Sequence, residues 1–235
     1  MTRVLIVEDA PMDRQLLELY VKQSGQYELV PSVESAAFAE FCCRTTRVDL
    51  ILMDVCTSLY ANGIDAAEKI KQNFPQIKII IITGQPECSF IERARKAGVD
   101  SFWYKTETAE SILNVMERTM AGEHIYPEST PPLQFGYITS DELTARELEV
   151  LREVVAGESD AAIAEKLYMS LRTVKGHIQS MRDKTGFRNR TELAVRARDC
   201  GLIIVDKETE YSAIFQEVLS NRRYFFYLCT KVRCG

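Results

Sequence analysis

Five side chains capable of phosphoryl chemistry occur among the first 105 residues, at the C-terminal ends of four apolar runs. They are Glu8, Asp9, Asp54, Thr83 and Lys105. The runs before them have the composition of buried strands: Val4–Val7, Leu50–Met53, Ile77–Ile82 and Phe102–Tyr104. Because the carboxyl ends of parallel strands line one crevice of an open sheet, we expect these side chains to converge there.

The side chains of this set suit phosphorylation of an aspartate. Three neighbouring carboxylates repel one another and call for a hard divalent cation such as Mg²⁺, which prefers oxygen ligands. A lysine and a hydroxyl can then contact an incoming phosphoryl group. Taken singly, Glu8 and Asp9 could be a solvated strand end and Lys105 a surface lysine. Their joint placement favours the phosphorylation site.

The composition is that of a globular protein without a membrane span. The chain has 235 residues, 46% of them hydrophobic and 27% charged, enough for one large or two ordinary domains. No apolar run approaches the roughly 18 residues of a transmembrane helix. Because a strand is predicted at the N-terminus, we expect no signal peptide. The seven cysteines lack zinc or disulfide spacing and indicate a cytoplasmic protein.

Charge is distributed unevenly between the two parts of the chain. Residues 1–125 carry 13 Lys and Arg against 18 Asp and Glu, whereas residues 166–198 carry nine Lys and Arg against two acidic residues. An acidic first half followed by a compact basic segment indicates a regulatory domain joined to a reader of nucleic acid.

Residues 1–122 alternate strand and helix signals through five βα repeats. This pattern predicts an α/β domain, a doubly wound five-stranded parallel sheet covered by helices. Pro86 is predicted to open the fourth helix and Gly98 to end it. The fifth helix is predicted over residues 108–121.

The rest of the chain is predicted to contain a linker at 123–140, an all-α domain of four helices at 141–204 and an extension at 205–235. Leu143 and Leu148 flank a capping box formed by Thr144 and Glu147. The same spacing recurs at residues 189–192. The extension is either a tail that packs on the last helix or is partly disordered, or a dimerisation or regulatory arm.

The two parts resemble the two domains of one known family. Residues 1–122 resemble the receiver domain of two-component response regulators, which has a flavodoxin-like fold. Residues 143–202 resemble the LuxR-type helix-turn-helix domain through three strings: Leu143–Leu151, Ile163–Leu167 and Thr173–His177. Together they resemble the NarL/FixJ subfamily.

The resemblance implies a role for each matched residue. Asp54 would accept the phosphoryl group, Lys105 would contact it, and Thr83 with Phe102 would form the conformational switch. The Mg²⁺ ligands would be Glu8 through water, Asp9 and Asp54 directly, and the backbone carbonyl of Cys56. The loop departs from the family pattern, because a Met-Pro pair is missing and Gly63 lies nine rather than eight residues after Asp54.

In the second domain, Ser159–Leu167 is predicted as the support helix and Leu171–Thr185 as the recognition helix, capped by Ser170. Apolar residues at helical spacing are predicted to form the core: Ile163, Leu167, Val174, Ile178 and Met181. Polar and basic residues, most of them on the opposite face, are predicted to contact DNA: Arg172, Thr173, Lys175, Gly176, Gln179, Arg182, Lys184, Arg188 and Arg190.

The last helix of the domain, over residues 189–200, carries a stripe of mostly small apolar residues. These are Leu193, Ala194, Ala197 and Cys200. In the family the matching helix forms the dimer interface on DNA. The alternative is that the stripe packs against its own domain.

The sequence therefore predicts a cytoplasmic transcription factor that a sensor histidine kinase phosphorylates on Asp54. It would dimerise on activation, bind double-stranded promoter DNA, and not act as a turnover enzyme. A haloacid dehalogenase-type phosphatase would need a second Asp two residues after Asp54, where Cys56 stands. A regulator that works without phosphorylation, using its receiver as a dimerisation module, is the remaining alternative.

Overall fold

The computed structural model describes residues 1–105 and 112–204. The start of the predicted fifth helix and the extension at 205–235 lie outside the described residues. Among the helices described, none combines the length and apolar character needed to cross a membrane.

A parallel sheet of five strands forms the centre of the first domain. The strands are β1 (Thr2–Val7), β2 (Tyr27–Leu29), β3 (Leu50–Asp54), β4 (Lys78–Thr83) and β5 (Ser101–Tyr104). Their order across the sheet is β2-β1-β3-β4-β5, with every neighbouring pair parallel. The order reverses at β1, so the crevice between β1 and β3 opens at the carboxyl ends of these strands. The predicted fold class is confirmed.

Helices cover both faces of this sheet. They are α1 (Pro11–Gln23), α2 (Ala39–Thr45), α3 (Gly63–Asn73), α4 (Phe90–Lys96) and α5, described from Ile112 to Met120. Alternate strand residues enter different cores: Leu5 and Val7 pack on one face, Val4 and Ile6 on the other. Burial on both faces explains why the strands read as continuous apolar runs.

Helix α4 begins at Phe90, four residues after Pro86, so the predicted start was wrong. A turn precedes the helix because the Glu87 carboxylate accepts hydrogen bonds from the backbone N–H and the hydroxyl of Ser89, at 3.0 and 2.7 Å. Gly98 follows the helix with a φ of 73°, a left-handed conformation that favours glycine, as the sequence predicts.

Much of the segment predicted as a linker is ordered against one domain or the other. The Phe102 N–H donates to the Ile125 carbonyl at 2.7 Å, and the Tyr126 hydroxyl donates to the Val99 carbonyl at 2.8 Å. Further on, β6 (Gln134–Phe135) and β7 (Ile138–Thr139) form a short antiparallel hairpin. Its buried Phe135 contacts Phe187 edge-on, with ring centroids 5.1 Å apart, so the hairpin belongs to the second domain's core.

Four helices form the second domain: α6 (Ala145–Ala156), α7 (Asp160–Lys166), α8 (Leu171–Thr185) and α9 (Arg190–Asp199). The predicted capping box of Thr144 and Glu147 is confirmed at α6. At α9 only half of the predicted box forms. Asn189 caps the helix, but the Glu192 carboxylate accepts the backbone N–H of Arg188 instead.

Candidate functional site

Three carboxylates meet at the carboxyl end of the sheet. Glu8 and Asp9 follow β1, and Asp54 ends β3, the strand paired with β1. One ligand oxygen from each of the three residues lies within 4.8 Å of the other two. Glu8 is fully buried, Asp54 is 6% exposed, and Asp9 is partly exposed. The structure thus brings these three predicted residues together.

This concentration of negative charge is costly in a buried place. Burial raises the pKa of Asp54 to about 7; the Lys105 ammonium opposes the shift, and the charges of Glu8 and Asp9 add to it. Burial also raises the pKa of Glu8, although Lys105 counteracts it. Carboxylate oxygens in excess of the local positive charge are a donor set that fits a hard divalent cation.

Lys105 supplies the positive charge of the site from its position directly after β5. Its Nζ lies 2.7 Å from Glu8 Oε2, 2.9 Å from Asp13 Oδ2 and 3.5 Å from Asp54 Oδ1. Burial lowers the lysine pKa, but Asp54, Glu8 and Asp13 together raise it above its ordinary value. Asp13, in the first turn of α1, is a fourth carboxylate that the strand-end pattern missed.

Thr83 and Phe102 occupy adjacent strands beside this cluster. Thr83 ends β4, is fully buried, and accepts the backbone N–H of Gln85 on its hydroxyl at 3.0 Å. Phe102 is buried in β5, edge-on to Tyr104 at 5.1 Å and stacked on Tyr126 at 6.3 Å. The ring of Phe102 is thus part of the core, and its switch role stays a prediction.

The loop after Asp54 accommodates its extra residue without moving Gly63 away from the site. A Cβ at Gly63 would lie 2.0 Å from the Asp54 carbonyl oxygen, so only glycine allows this approach. A 3₁₀ turn holds the added length, with Leu59 and Tyr60 at φ 64° and 55°. The Ser58 hydroxyl of this turn donates to Asp9 Oδ2 at 3.4 Å.

Cys56 lies at the exposed start of the same loop, in an isolated bridge with Asn62. That a metal ion would bind its backbone carbonyl remains a prediction.

In the second domain, helix α8 separates a buried face from a basic face. Val174, Ile178 and Met181 are buried, as predicted. Ile163 is also buried, and Leu167 packs partly buried against the same core. The Ser170 hydroxyl caps the helix by accepting the Thr173 N–H at 3.0 Å. On α8 itself, five of the predicted DNA contacts are exposed: Arg172, Thr173, Lys175, Gly176 and Gln179.

Comparison with known proteins agrees with both halves of this geometry. Residues 4–117 match the response regulator receiver domain, and residues 141–197 match the bacterial regulatory proteins of the luxR family. The response regulator protein VraR of Staphylococcus aureus (strain N315) is 31% identical over 206 residues, which are 86% of this chain and 98% of that protein. The chain belongs to the response regulator family. It is a two-domain transcription regulator of a two-component system, of the NarL/FixJ type.

Solved structures of response regulators share this fold. A structure of two RcsB dimers bound to two parallel DNAs has a TM-score of 0.57 and 20% identity, covering 84% of this chain and 98% of that one. RcsB from Salmonella enterica serovar Typhimurium, bound to promoter rprA in the presence of phosphomimetic BeF₃⁻, has a TM-score of 0.56 and 21% identity. That match covers 83% of this chain and 96% of the other.

Four other basic residues predicted to meet DNA are engaged within this response regulator. Lys184 Nζ lies 2.8 Å from Glu147 Oε2, so its ammonium stabilises the domain. The other three also have partners inside the domain. Arg182 contacts Gln179 at 2.9 Å, Arg188 contacts Glu192 at 3.1 Å, and Arg190 contacts Asp160 at 3.4 Å.

The dimer stripe predicted on α9 needs correction. Leu193 and Ala197 are fully buried in the core of their own domain, and Ala194 and Cys200 pack partly buried against it. The sequence could not separate the two possibilities, because one apolar stripe serves equally for a core or a dimer. Val195 is the residue of α9 that exposes apolar surface, with 45% of its area accessible.

An ion pair with a buried carboxylate joins the two domains of the regulator. Glu87, on the loop between Thr83 and α4, is fully buried and accepts a hydrogen bond from the guanidinium of Arg152 in α6. Cys88 packs against the second domain's core, and Ile204 packs against the receiver's core. The loop that follows Thr83 is therefore part of the interdomain contact, which the sequence pattern did not reveal.

Proposed function

We propose that this response regulator is phosphorylated on Asp54 by a sensor histidine kinase and that phosphorylation controls its dimerisation and its binding to promoter DNA. The convergence of three carboxylates and Lys105 at the carboxyl end of the sheet supports this proposal most directly. Mg²⁺ would be held by Glu8, Asp9 and Asp54, with the Cys56 carbonyl as a further ligand.

Asp54 is the group in position to form the new bond. An oxygen of its carboxylate attacks phosphorus while the bond from phosphorus to the phosphohistidine nitrogen breaks. A bound Mg²⁺ would neutralise negative charge on the oxygens around phosphorus. The Lys105 ammonium, 3.5 Å from Asp54 Oδ1, would pair with the transferred group. The protein accepts one phosphoryl group and loses it slowly, so we do not regard it as a turnover enzyme.

The loop after Thr83 offers a route from the phosphoryl group to the second domain. In the structure the Thr83 hydroxyl accepts the Gln85 N–H, and Glu87 two residues later holds Arg152. A Thr83 hydroxyl that turns to donate to a phosphoryl oxygen would give up this local contact. The loop, and with it the Glu87–Arg152 pair, would then change its arrangement.

The exposed face of α8 is the surface that would read DNA in the cytoplasm. Arg172 and Lys175 have no ion-pair partner among residues 1–105 and 112–204, so both are available to phosphates or base edges. RcsB is described as dimers bound to DNA, and a comparable dimer of this chain would place two such helices on two half-sites. Exposed residues of α9, Val195 among them, would then contribute to the dimer contact.

Two contacts favour the second candidate, a regulator that works without phosphorylation. Ser58 contacts an oxygen of Asp9, and Lys105 is closer to Asp13 than to Asp54, so two groups needed for the reaction are partly engaged. In this alternative the receiver would serve only as a dimerisation module.

Labelling with acetyl phosphate discriminates the two candidates. We expect the wild type to acquire a hydroxylamine-labile phosphoryl group with Mg²⁺ and not with EDTA, and Asp54→Asn to acquire none. Asp65→Asn, which removes an exposed carboxylate from α3, is the matched control and should label normally. Promoter binding measured on the same samples should tighten only where labelling occurs. Undiminished labelling of Asp54→Asn would exclude Asp54 as the acceptor.

A further inference from the structure

Asp13 contacts Lys105 although it is not one of the three clustered carboxylates of the site. Lys105 Nζ makes its two shortest contacts with Glu8 and Asp13, at 2.7 and 2.9 Å, and lies 3.5 Å from Asp54. An ammonium has three N–H donors, and here three carboxylates share them. The lysine is therefore drawn towards α1 and away from the residue that would carry the phosphoryl group.

The position of Asp13 is fixed by the start of α1. Pro11 opens the helix, and the Arg14 guanidinium donates to the Glu8 carbonyl at 2.8 Å, which ties the first turn to the end of β1. A carboxylate in the first turn of a helix is favoured by the unpaired N–H groups there. Asp13 thus points its charge at Lys105 from a rigid support.

Exposure separates Asp13 from the other partners of the lysine. Its side chain is 46% exposed, whereas those of Glu8 and Asp54 are 1% and 8% exposed. Water can solvate the Asp13 carboxylate if the lysine moves away, and the buried carboxylates lack that alternative. Asp13 is consequently the partner that Lys105 can exchange most readily for a phosphoryl oxygen.

We propose that Asp13 is a positioning residue of the phosphorylation site, which holds Lys105 in the unphosphorylated protein and competes with the phosphoryl group for its ammonium. The proposal rests on the proposed function of Asp54. It implies that Asp13 lowers the stability of the phosphorylated state relative to the free state, and so sets how strongly this regulator retains its phosphoryl group.

Binding of BeF₃⁻ in saturating Mg²⁺, followed by fluorine NMR on the full chain, tests the proposal. We expect Asp13→Asn to bind about two- to fivefold more tightly than wild type, the range expected for losing one partly exposed ion pair. Asp13→Glu, which keeps the charge, should bind nearly as wild type. The affinity of Asp13→Asn for Mg²⁺ in the absence of BeF₃⁻, titrated separately, should differ less than twofold from that of the wild type, because Asp13 lies outside the carboxylate cluster.

Two controls distinguish an effect of Asp13 through Lys105 from a general effect of removing one negative charge. Glu18→Gln removes one carboxylate from the same helix without touching Lys105, and it should leave BeF₃⁻ affinity unchanged. In a Lys105→Gln background, Asp13→Asn should have no effect. An equal gain in that background, or no gain in Asp13→Asn alone, would refute the positioning role. Failure of the wild type to bind BeF₃⁻ would instead overturn the proposed function, and this inference with it.

Discussion

Two glutamate–lysine pairs in this protein look alike and behave oppositely. Glu8 and Lys105 in the receiver lie 2.7 Å apart, and Glu147 and Lys184 in the DNA-binding domain lie 2.8 Å apart. Both glutamate side chains are almost fully buried, at 1% and 4% exposed, and both lysines reach solvent. Yet the pKa of Glu8 is raised, whereas the pKa of Glu147 is lowered to about 2.

The balance of donors and carboxylates explains the difference. Burial raises the pKa of Glu147 too, but Lys184, the Thr144 N–H and the Ser180 hydroxyl together outweigh it. Glu8 receives one backbone N–H, from Ala10, and shares its lysine with two further carboxylates. A satisfied carboxylate holds helices together, whereas an undersatisfied one leaves a place for positive charge to bind.

The largest predicted effect concerns Glu147. Glu147→Gln should lower the free energy of unfolding by about 3 kcal/mol, because Lys184 loses its counter-charge and the hydrogen bonds weaken. Urea unfolding followed by circular dichroism, which detects the helices of both domains, measures this loss. Glu149→Gln, an exposed neighbour on α6, is the control and should cost less than about 0.5 kcal/mol. Equal effects of the two changes would mean that the contacts of Glu147 with Lys184, Thr144 and Ser180 do not stabilise the domain.

The second largest predicted effect is the stabilisation of the receiver site, and not of the Glu147–Lys184 pair, by Mg²⁺. At 100 times its dissociation constant, a bound ion adds about 2.7 kcal/mol to the free energy of unfolding. We expect Mg²⁺ to stabilise the wild type and Glu147→Gln equally, and not to stabilise Asp9→Asn. Trp103, the only tryptophan, lies in β5 and gives a fluorescence signal from the receiver. A Mg²⁺-induced gain that survives in Asp9→Asn would place the ion elsewhere.

The sequence predicted strand ends and helix caps correctly where the nearby residues along the chain determine them. Asp54, Thr83 and Lys105 could be found because each follows an apolar run, and the topology of parallel sheets brings such positions together. Ser170 and Thr144 could be assigned as helix caps for the same local reason. Asp13 was missed because its contact with Lys105 spans 92 residues and depends on how α1 packs. Glu87 was missed because its partner lies in the other domain.

Three basic residues of the second domain should give smaller effects that separate DNA binding from stability. Lys175→Ala should weaken operator binding by about 1–3 kcal/mol and leave stability unchanged, because its side chain is exposed on the face of α8. Lys184→Ala should instead lower stability through Glu147, with a smaller change in DNA affinity. Arg188→Ala, on the surface beside Glu192, should weaken all sequences about equally and reduce the salt slope by about one unit. The reverse pattern in titrations over several salt concentrations would show that α8 meets DNA through another face.

The smallest effect should come from Glu8 in metal-free protein. Glu8→Gln removes one of the crowded carboxylates, so the free energy of unfolding should stay within about 1 kcal/mol of the wild-type value or rise, unlike that of Glu147→Gln. The pH dependence sharpens the contrast. Because the folded pKa of Glu8 is raised, its ionisation opposes folding, and the wild type should lose stability relative to Glu8→Gln as the pH rises above about 4.5.

Glu147 should give the opposite slope. Its folded pKa is lowered from 4.5 to about 2, so its stabilisation is complete above about pH 4.5 and is lost as the pH falls towards 2. Urea midpoints of both variants and the wild type, measured in EDTA at several pH values between 3 and 7, compare the two slopes directly. If the two differences from wild type changed with pH in the same direction, the surplus of carboxylates around Lys105 could not be what distinguishes the receiver site from the helix-packing pair.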